Sequence, residues 1–172
     1  MENQAATTGK YALKFGLLLG LISILYNVVL YVMGMHMEQN LVNGLIGIVI
    51  MIVFIIYGIR EFKKANGNIL STGQALKTGV GIALVAGVIS VIYTMILMNF
   101  IEPDMMSQIL EKQQEAMIES NPNMTQDQLD AALAMSEKFS SPAIISAMAL
   151  IWSVILGFII SLIGGLIMKR EA

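Results

Sequence analysis

The chain has 172 residues, of which 56% are hydrophobic and only 13% charged, about half the charged fraction of an ordinary soluble domain. So much apolar surface cannot be hidden in one small core beneath a polar exterior, which excludes a water-soluble globular protein. Cysteine is absent and His36 is the only histidine, leaving no disulfide framework, no thiolate chemistry and no histidine-built metal centre. The net charge of −2 is uninformative as a total while its distribution along the chain is not, and no nucleic-acid partner is expected.

Hydrocarbon offers the backbone no hydrogen-bond partners. A segment crossing it must be a helix of roughly 20 apolar residues or a strand of a closed barrel. Four stretches fit the helix, and none alternates with the period of two that barrel strands show.

The first predicted span covers 11–35, from Tyr11 to Met35. It is longer than the roughly 7–15 apolar residues of a signal-peptide core. It ends in Tyr31-Val-Met-Gly34 without a small-x-small cleavage site, so it is expected to remain as an uncleaved span. Ala12, Gly16 and Gly20 recur at four-residue steps, and Asn27 is one of its few polar residues. The turn Gly34–Asn40 is too short to let the next helix lie anywhere but antiparallel beside the first. His36 falls there next to Glu38; it fits a solvated turn histidine better than a pH sensor.

The second span covers 41–59, and its end continues as the basic run Arg60-Glu-Phe-Lys63-Lys64. Asn66-Gly67 supplies the positive φ that stops a helix. Ser71 or Thr72 is placed to cap the next helix. Arg60, Lys63 and Lys64 either fix topology alone or also contact anionic lipid, at about 1 kcal/mol of attraction each.

The third span covers 76–101. It has Gly79, Ala83 and Gly87 at four-residue steps, and Tyr93 and Thr94 towards its end. With Asn27 these two could form an intramembrane polar cluster, used for interhelical hydrogen bonding or for a small polar solute.

Residues 102–142 form a predicted helical hairpin. One helix begins after Pro103 with Asp104 at the favourable end of the helix dipole. It carries Met106, Ile109, Leu110, Gln113 and Met117 on one face and ends at Asn121-Pro-Asn123. The second begins at Thr125-x-x-Gln128, a capping-box pattern, with Leu129, Ala132, Leu133, Ser136 and Phe139 on one face. These stripes need a cover, which could be the ends of the spans, a second protein or the membrane surface. The acidic character disfavours the surface, since interfacial helices are usually basic.

Ser141-Pro142 starts the fourth span, 143–168. Ala149, Ser153, Gly157, Ser161 and Gly165 follow one another at four-residue steps along it. Such a stripe lets helix backbones approach closely, within one four-helix bundle or between two copies of the chain.

Eight of the ten basic residues flank the start of span one, the link between spans two and three, or the end of span four. Only Lys112 and Lys138 lie on the other side, among eight carboxylates from Glu102 to Glu137. Basic loops stay cytoplasmic, so both termini are expected inside and the hairpin outside. The fold expected is therefore all-α: one membrane domain over 1–172, an antiparallel four-helix transmembrane bundle with an extracytoplasmic helical hairpin between its third and fourth spans.

The run Gly58-Ile-Arg60-Glu-Phe-Lys-Lys-Ala-Asn66-Gly67, its continuation Ser71-x-Gly73-Gln-Ala75-Leu-Lys77-Thr-Gly79, Ile92-Tyr93 with Asn99-Phe-Ile-Glu-Pro103-Asp, and Lys138-Phe-Ser-Ser-Pro142 together carry a resemblance. Over nearly its whole length the chain resembles the bacterial integral membrane proteins of domain-of-unknown-function family 4199. The resemblance implies four spans and a Gram-negative inner membrane, and brings no activity or functional residues.

No span holds a deep Asp, Glu, Lys or Arg, as proton or ion pathways usually do, and no two halves repeat as in many transporters. No enzyme activity and no cofactor are expected. The function expected is a scaffold or accessory subunit working with the bilayer and with a membrane-protein partner or further copies of itself. The alternative is a small-solute channel or carrier.

Overall fold

A computed structural model describes residues 6–36 and 41–170; Glu38, expected beside His36, lies outside the described residues. Among these residues the structure is all-helical, with six α-helices and no strand. They are α1 (Thr8–Val32), α2 (Leu41–Ala65), α3 (Thr72–Ile96), α4 (Met105–Ser120), α5 (Gln126–Phe139) and α6 (Pro142–Met168). A π-helical turn, Leu97–Ile101, extends α3. Four helical stretches are long and apolar enough to cross a membrane: Thr8–Val32, Leu41–Ala65, Thr72–Ile101 and Pro142–Met168.

Local chemistry fixes the helix ends. α1 stops three residues earlier than its apolar run, at Val32. There Gly34 turns to φ +70°, the Met35 amide donates to Leu30 O (2.9 Å) and the Gly34 amide to Tyr31 O (3.0 Å). These are the two bonds of a Schellman motif. α2 ends the same way: Gly67 has φ +66° and the Asn68 amide donates to Lys63 O (2.9 Å). Asn68 is left-handed too, at φ +63°. α3 opens on a reciprocal capping box, the Gln74 amide donating to Ser71 Oγ (3.2 Å) and the Ser71 amide to Gln74 Oε1 (2.9 Å). Thr125 and Gln128 make the same arrangement at α5, and Ser141 Oγ accepts from the Ile144 amide at α6.

The π-helical turn is a departure from the regular span expected over 76–101. The Glu102 amide donates five residues back, to Leu97 O (2.8 Å), and Glu102 leaves helical geometry at φ −138°, ψ 73°. Pro103 follows, and a residue before proline is pushed out of the α region. The helix widens where it can no longer continue.

Two compact units can be distinguished. One comprises Met1–Val91 with Leu150–Ala172, the other Ile92–Ala149. In the first, Phe15, Ile55, Ile59, Phe62, Leu70, Ala75, Ile82 and Ala83 form the core. Tyr11, Phe15, Phe62 and Tyr57 link α1 to α2 by edge-to-face contacts, with ring centres 5.7 Å apart for Tyr11–Phe62 and 5.4 Å for Phe15–Tyr57. The opposite faces leave Leu13, Leu21, Leu25, Val49, Val53, Trp152 and Ile163 exposed, a surface suited to lipid tails. In the second unit α4 and α5 contact each other, and the chain reverses between them at Asn121, whose carbonyl accepts from the Met124 amide (3.0 Å).

Candidate functional site

Four regions hold the residues of interest. The first is the seam between α3 and α6. A Cβ built on Gly79 would run into Ser161 Oγ, one on Gly157 into Ala83 Cβ, and one on Gly165 would stand 2.7 Å from Ala75 Cβ. At Gly87 it would meet Leu150 at 2.8 Å and Ser153 Oγ at 3.0 Å. Partners thus fall along α6 as they rise along α3, so the two helices run in opposite directions. Ser153 Oγ donates to Ala83 O across the seam (2.8 Å). The buried Ser161 turns its hydroxyl back to Gly157 O on its own helix. Ala149, the first member of the stripe, is exposed.

α1 uses its own small residues against the other side of α3. Gly81 faces Ala12, Gly16 faces Val85 and Gly20 faces Ile89. Here the numbers rise together and the two helices are parallel. Small residues from three helices therefore meet within one chain.

The second region is the basic end of α2. Lys63 Nζ donates to Met168 O at the last turn of α6 (2.8 Å), a cation on orphan carbonyls at the negative end of a helix dipole. Lys64 pairs with Glu61 over 2.6 Å, and Arg60 is exposed. Beyond α6, Leu70 and Arg170 exchange both backbone hydrogen bonds, Leu70 N to Arg170 O (3.0 Å) and Arg170 N to Leu70 O (3.1 Å). Leu70 is fully buried. Of the three basic residues read as contacts for anionic lipid, Lys63 is thus engaged as a helix cap. Sequence spacing gave no sign of this, since the partners lie 105 residues apart.

The third region is a crevice of about 380 Å³ between α1 and α2. Ser23, Tyr26, Asn27 and Leu30 line it from α1, at the three- and four-residue steps of one helix face. Asn43, Gly44, Gly47 and Ile50 line it from α2, and Met35 and His36 close one end. Tyr26 OH donates to Asn43 O (3.3 Å), Asn27 Nδ2 donates to Ser23 O (2.8 Å), and the Tyr31 and His36 rings sit 4.8 Å apart. Asn43 Nδ2 is buried without a hydrogen-bond partner among the described residues. Of the residues read as an intramembrane polar cluster, Asn27 lies here with Tyr26, His36 and Asn43. Tyr93 and Thr94 lie half-buried in the second unit. Sequence reading missed Asn43 as a member, although its seven-residue distance from His36 across a tight turn was visible.

The fourth region is the hairpin. Met106, Ile109, Leu110, Gln113 and Met117 on α4 are half-buried, and none of the α4 residues is fully buried. On α5 only Leu129 is buried. Ile118, Met135 and Phe139 are 48%, 65% and 64% exposed. A groove of about 490 Å³ runs between Ile109 and Gln113 on one side and Ala132, Met135, Ser136 and Phe139 on the other. Phe139, read as part of the covered stripe, is one of the exposed walls of this groove.

No group of three or more acidic, histidine or cysteine side chains able to hold a metal occurs among the described residues. No curated protein and no solved structure matches the chain. A family model does match, over residues 14–170. By that match, which spans almost the whole sequence, the chain belongs to the family described as "Protein of unknown function (DUF4199)".

Proposed function

We propose that this protein is a four-span scaffold or accessory subunit of the inner membrane, working through the hairpin formed by α4 and α5. In this reading the four spans form an antiparallel bundle with both termini in the cytoplasm, as the basic residues at its ends favour, and the acidic hairpin stands outside. The observation that carries the proposal is the uncovered apolar wall of that hairpin. Met135 and Phe139 stay about two-thirds exposed on a segment whose other surface is carboxylate-rich. A large exposed aromatic beside a groove is a common anchor for a protein partner. The small-residue stripe of α6 argues against an interface between copies there, because α3 of the same chain occupies it.

The test is purification in mild detergent followed by mass measurement of the intact assembly. The reading expects a co-purifying subunit or an oligomer that is lost in Phe139→Asp and Met135→Lys while the monomer stays folded. A monomer alone from the wild type overturns it.

A solute channel or carrier is the second reading, favoured by the polar crevice between α1 and α2. Liposome flux of ions and small polar solutes, with Asn27→Leu in the crevice and Tyr93→Phe outside it as controls, tests it; absence of flux removes it.

A further inference from the structure

Glycines inside the spans sort into two kinds. Gly16, Gly20, Gly58, Gly79, Gly81, Gly87, Gly157, Gly164 and Gly165 all press against a neighbouring helix, so that a Cβ would collide. Gly9 and Gly73, each the second residue of its helix, do not, and neither do Gly44 and Gly47: a Cβ on either of the latter two would meet nothing within 4 Å among the described residues. Both line the crevice between α1 and α2. Glycine inside a helix is unfavourable relative to alanine, and close helix packing does not account for these two. What they create is space.

The described lining of this space is polar, with Ser23, Tyr26, Asn27, His36 and Asn43. The buried Asn43 amide nitrogen has no partner among the described residues, and the Tyr26 hydroxyl and the Asn27 carboxamide line the same crevice. Among the described residues no Asp, Glu, Lys or Arg lines the crevice, and none of them would repay the desolvation of an ion there. A purely apolar occupant would leave the Asn43 donor unsatisfied. The chemistry wanted is a neutral group bearing acceptor oxygens.

Position narrows the source. A 25-residue helix is about 37 Å long against roughly 30 Å of hydrocarbon, so each end reaches a few ångströms into the headgroup region. Asn27 lies five residues before the end of α1, and Gly47 six residues after the start of α2, about 7–9 Å along the axes. The crevice therefore runs from the glycerol layer into the first part of the tails. Asn27 and Gly44 are themselves exposed, and Leu25, Val28, Val29, Leu45 and Ile48 around them are exposed aliphatics. A polar notch with an aliphatic rim suits an amphiphile, and 380 Å³ falls in the range of small-ligand sites.

We infer that this crevice binds the neutral glycerol-ester portion of a lipid, with an ester or hydroxyl oxygen accepting from Asn43 Nδ2 and the acyl chain lying along the aliphatic rim. This depends on α1 and α2 lying in a bilayer, and not on the hairpin reading.

The probes are 1-monooleoylglycerol, free glycerol and octadecane, added to the delipidated full chain in detergent. Binding is read by intact-complex mass and by the thermal midpoint. Monooleoylglycerol is expected to occupy one site and raise the midpoint. Gly47→Leu, whose side chain enters open space, is expected to weaken that binding tenfold or more while the ligand-free midpoint holds; Gly44→Leu is the second variant should the first fold poorly. Asn43→Leu should weaken binding as well. Equal binding to wild type, to the glycine-to-leucine variant and to Asn43→Leu overturns the inference. So does octadecane binding as well as monooleoylglycerol, or free glycerol matching it, the last pointing to a soluble polyol instead.

Discussion

The Ser153 hydroxyl on α6 donates to the Ala83 carbonyl oxygen on α3 over 2.8 Å, joining residues 70 positions apart. The approach is possible because Gly87, Ala83 and Gly157 leave no side-chain bulk between the two backbones. A helical carbonyl has a second lone pair to offer, and lipid cannot supply a substitute donor. Removing the hydroxyl while keeping the volume, Ser153→Ala, should cost about 0.5–1 kcal/mol, as for other interhelical hydrogen bonds in bilayers. Denaturant titration of the purified protein in micelles measures it. Ser153→Val adds a branch against Gly87 and should cost more than Ser153→Ala.

Gly79 and Ser161 make a sharper test of the same seam. An added methyl on Gly79 lands on Ser161 Oγ and 2.8 Å from Ser161 Cβ, and Ser161 is fully buried with no route of escape. Gly79→Ala should therefore destabilise by about 1–3 kcal/mol, the usual cost of overpacking. Ser161→Gly opens the matching space. The double variant Gly79→Ala/Ser161→Gly should be more stable than the sum of the two single effects by 0.5 kcal/mol or more, the signature of residues in contact. Strict additivity would mean that α3 and α6 do not meet at this pair.

The four apolar helices were legible because a long uncharged run has one physical solution in lipid, and the four-residue steps of Gly157, Ser161 and Gly165 announced a face. Turn chemistry was legible where it is local: Asn66-Gly67, Thr125 with Gln128 and Ser141 all act within a few residues of themselves. What sequence left out depends on distant backbone. Nothing near Lys63 says that its ammonium meets Met168 O, or that Leu70 pairs with Arg170. Nothing near Leu97 says that the helix widens there, because the cause is Pro103 acting together with the chain's exit from α3. Whether a glycine packs or leaves a hole, as Gly58 and Gly47 do respectively, is decided by a neighbouring helix and not by spacing.

Gly73 and Gly165 should respond oppositely to the same change. Gly73 stands in the first turn of α3 with nothing within 4 Å of a Cβ, and it needs no positive φ. Gly73→Ala should stabilise by about 0.4–1 kcal/mol through the unfolded chain and helix propensity. Gly165 faces Ala75 at 2.7 Å, a buried contact with no flexible end to move aside. Gly165→Ala should destabilise by about 1–3 kcal/mol. Thermal midpoints of the two variants shifting in the same direction would contradict the packing of the α6 end on α3.

The clasp at the basic end couples three pieces of chain: the end of α2 through Lys63, the link through Leu70, and the tail beyond α6 through Met168 and Arg170. The Lys63 ammonium satisfies a carbonyl at the last turn of α6, and the two Leu70–Arg170 hydrogen bonds follow within two residues. Lys63→Met keeps the aliphatic stem and removes the charge. It should cost about 0.5–1 kcal/mol, typical of a cation at a helix C-terminus. That loss should appear locally, as amide exchange at Leu70 and Arg170 about two- to fivefold faster, while amides in the middle of α3 keep their protection. Lys63→Arg retains a cationic donor and should recover most of the protection. If exchange at Leu70 and Arg170 is unchanged in Lys63→Met, the bridge stands independently of the cap, and burial of Leu70 alone holds the tail in place.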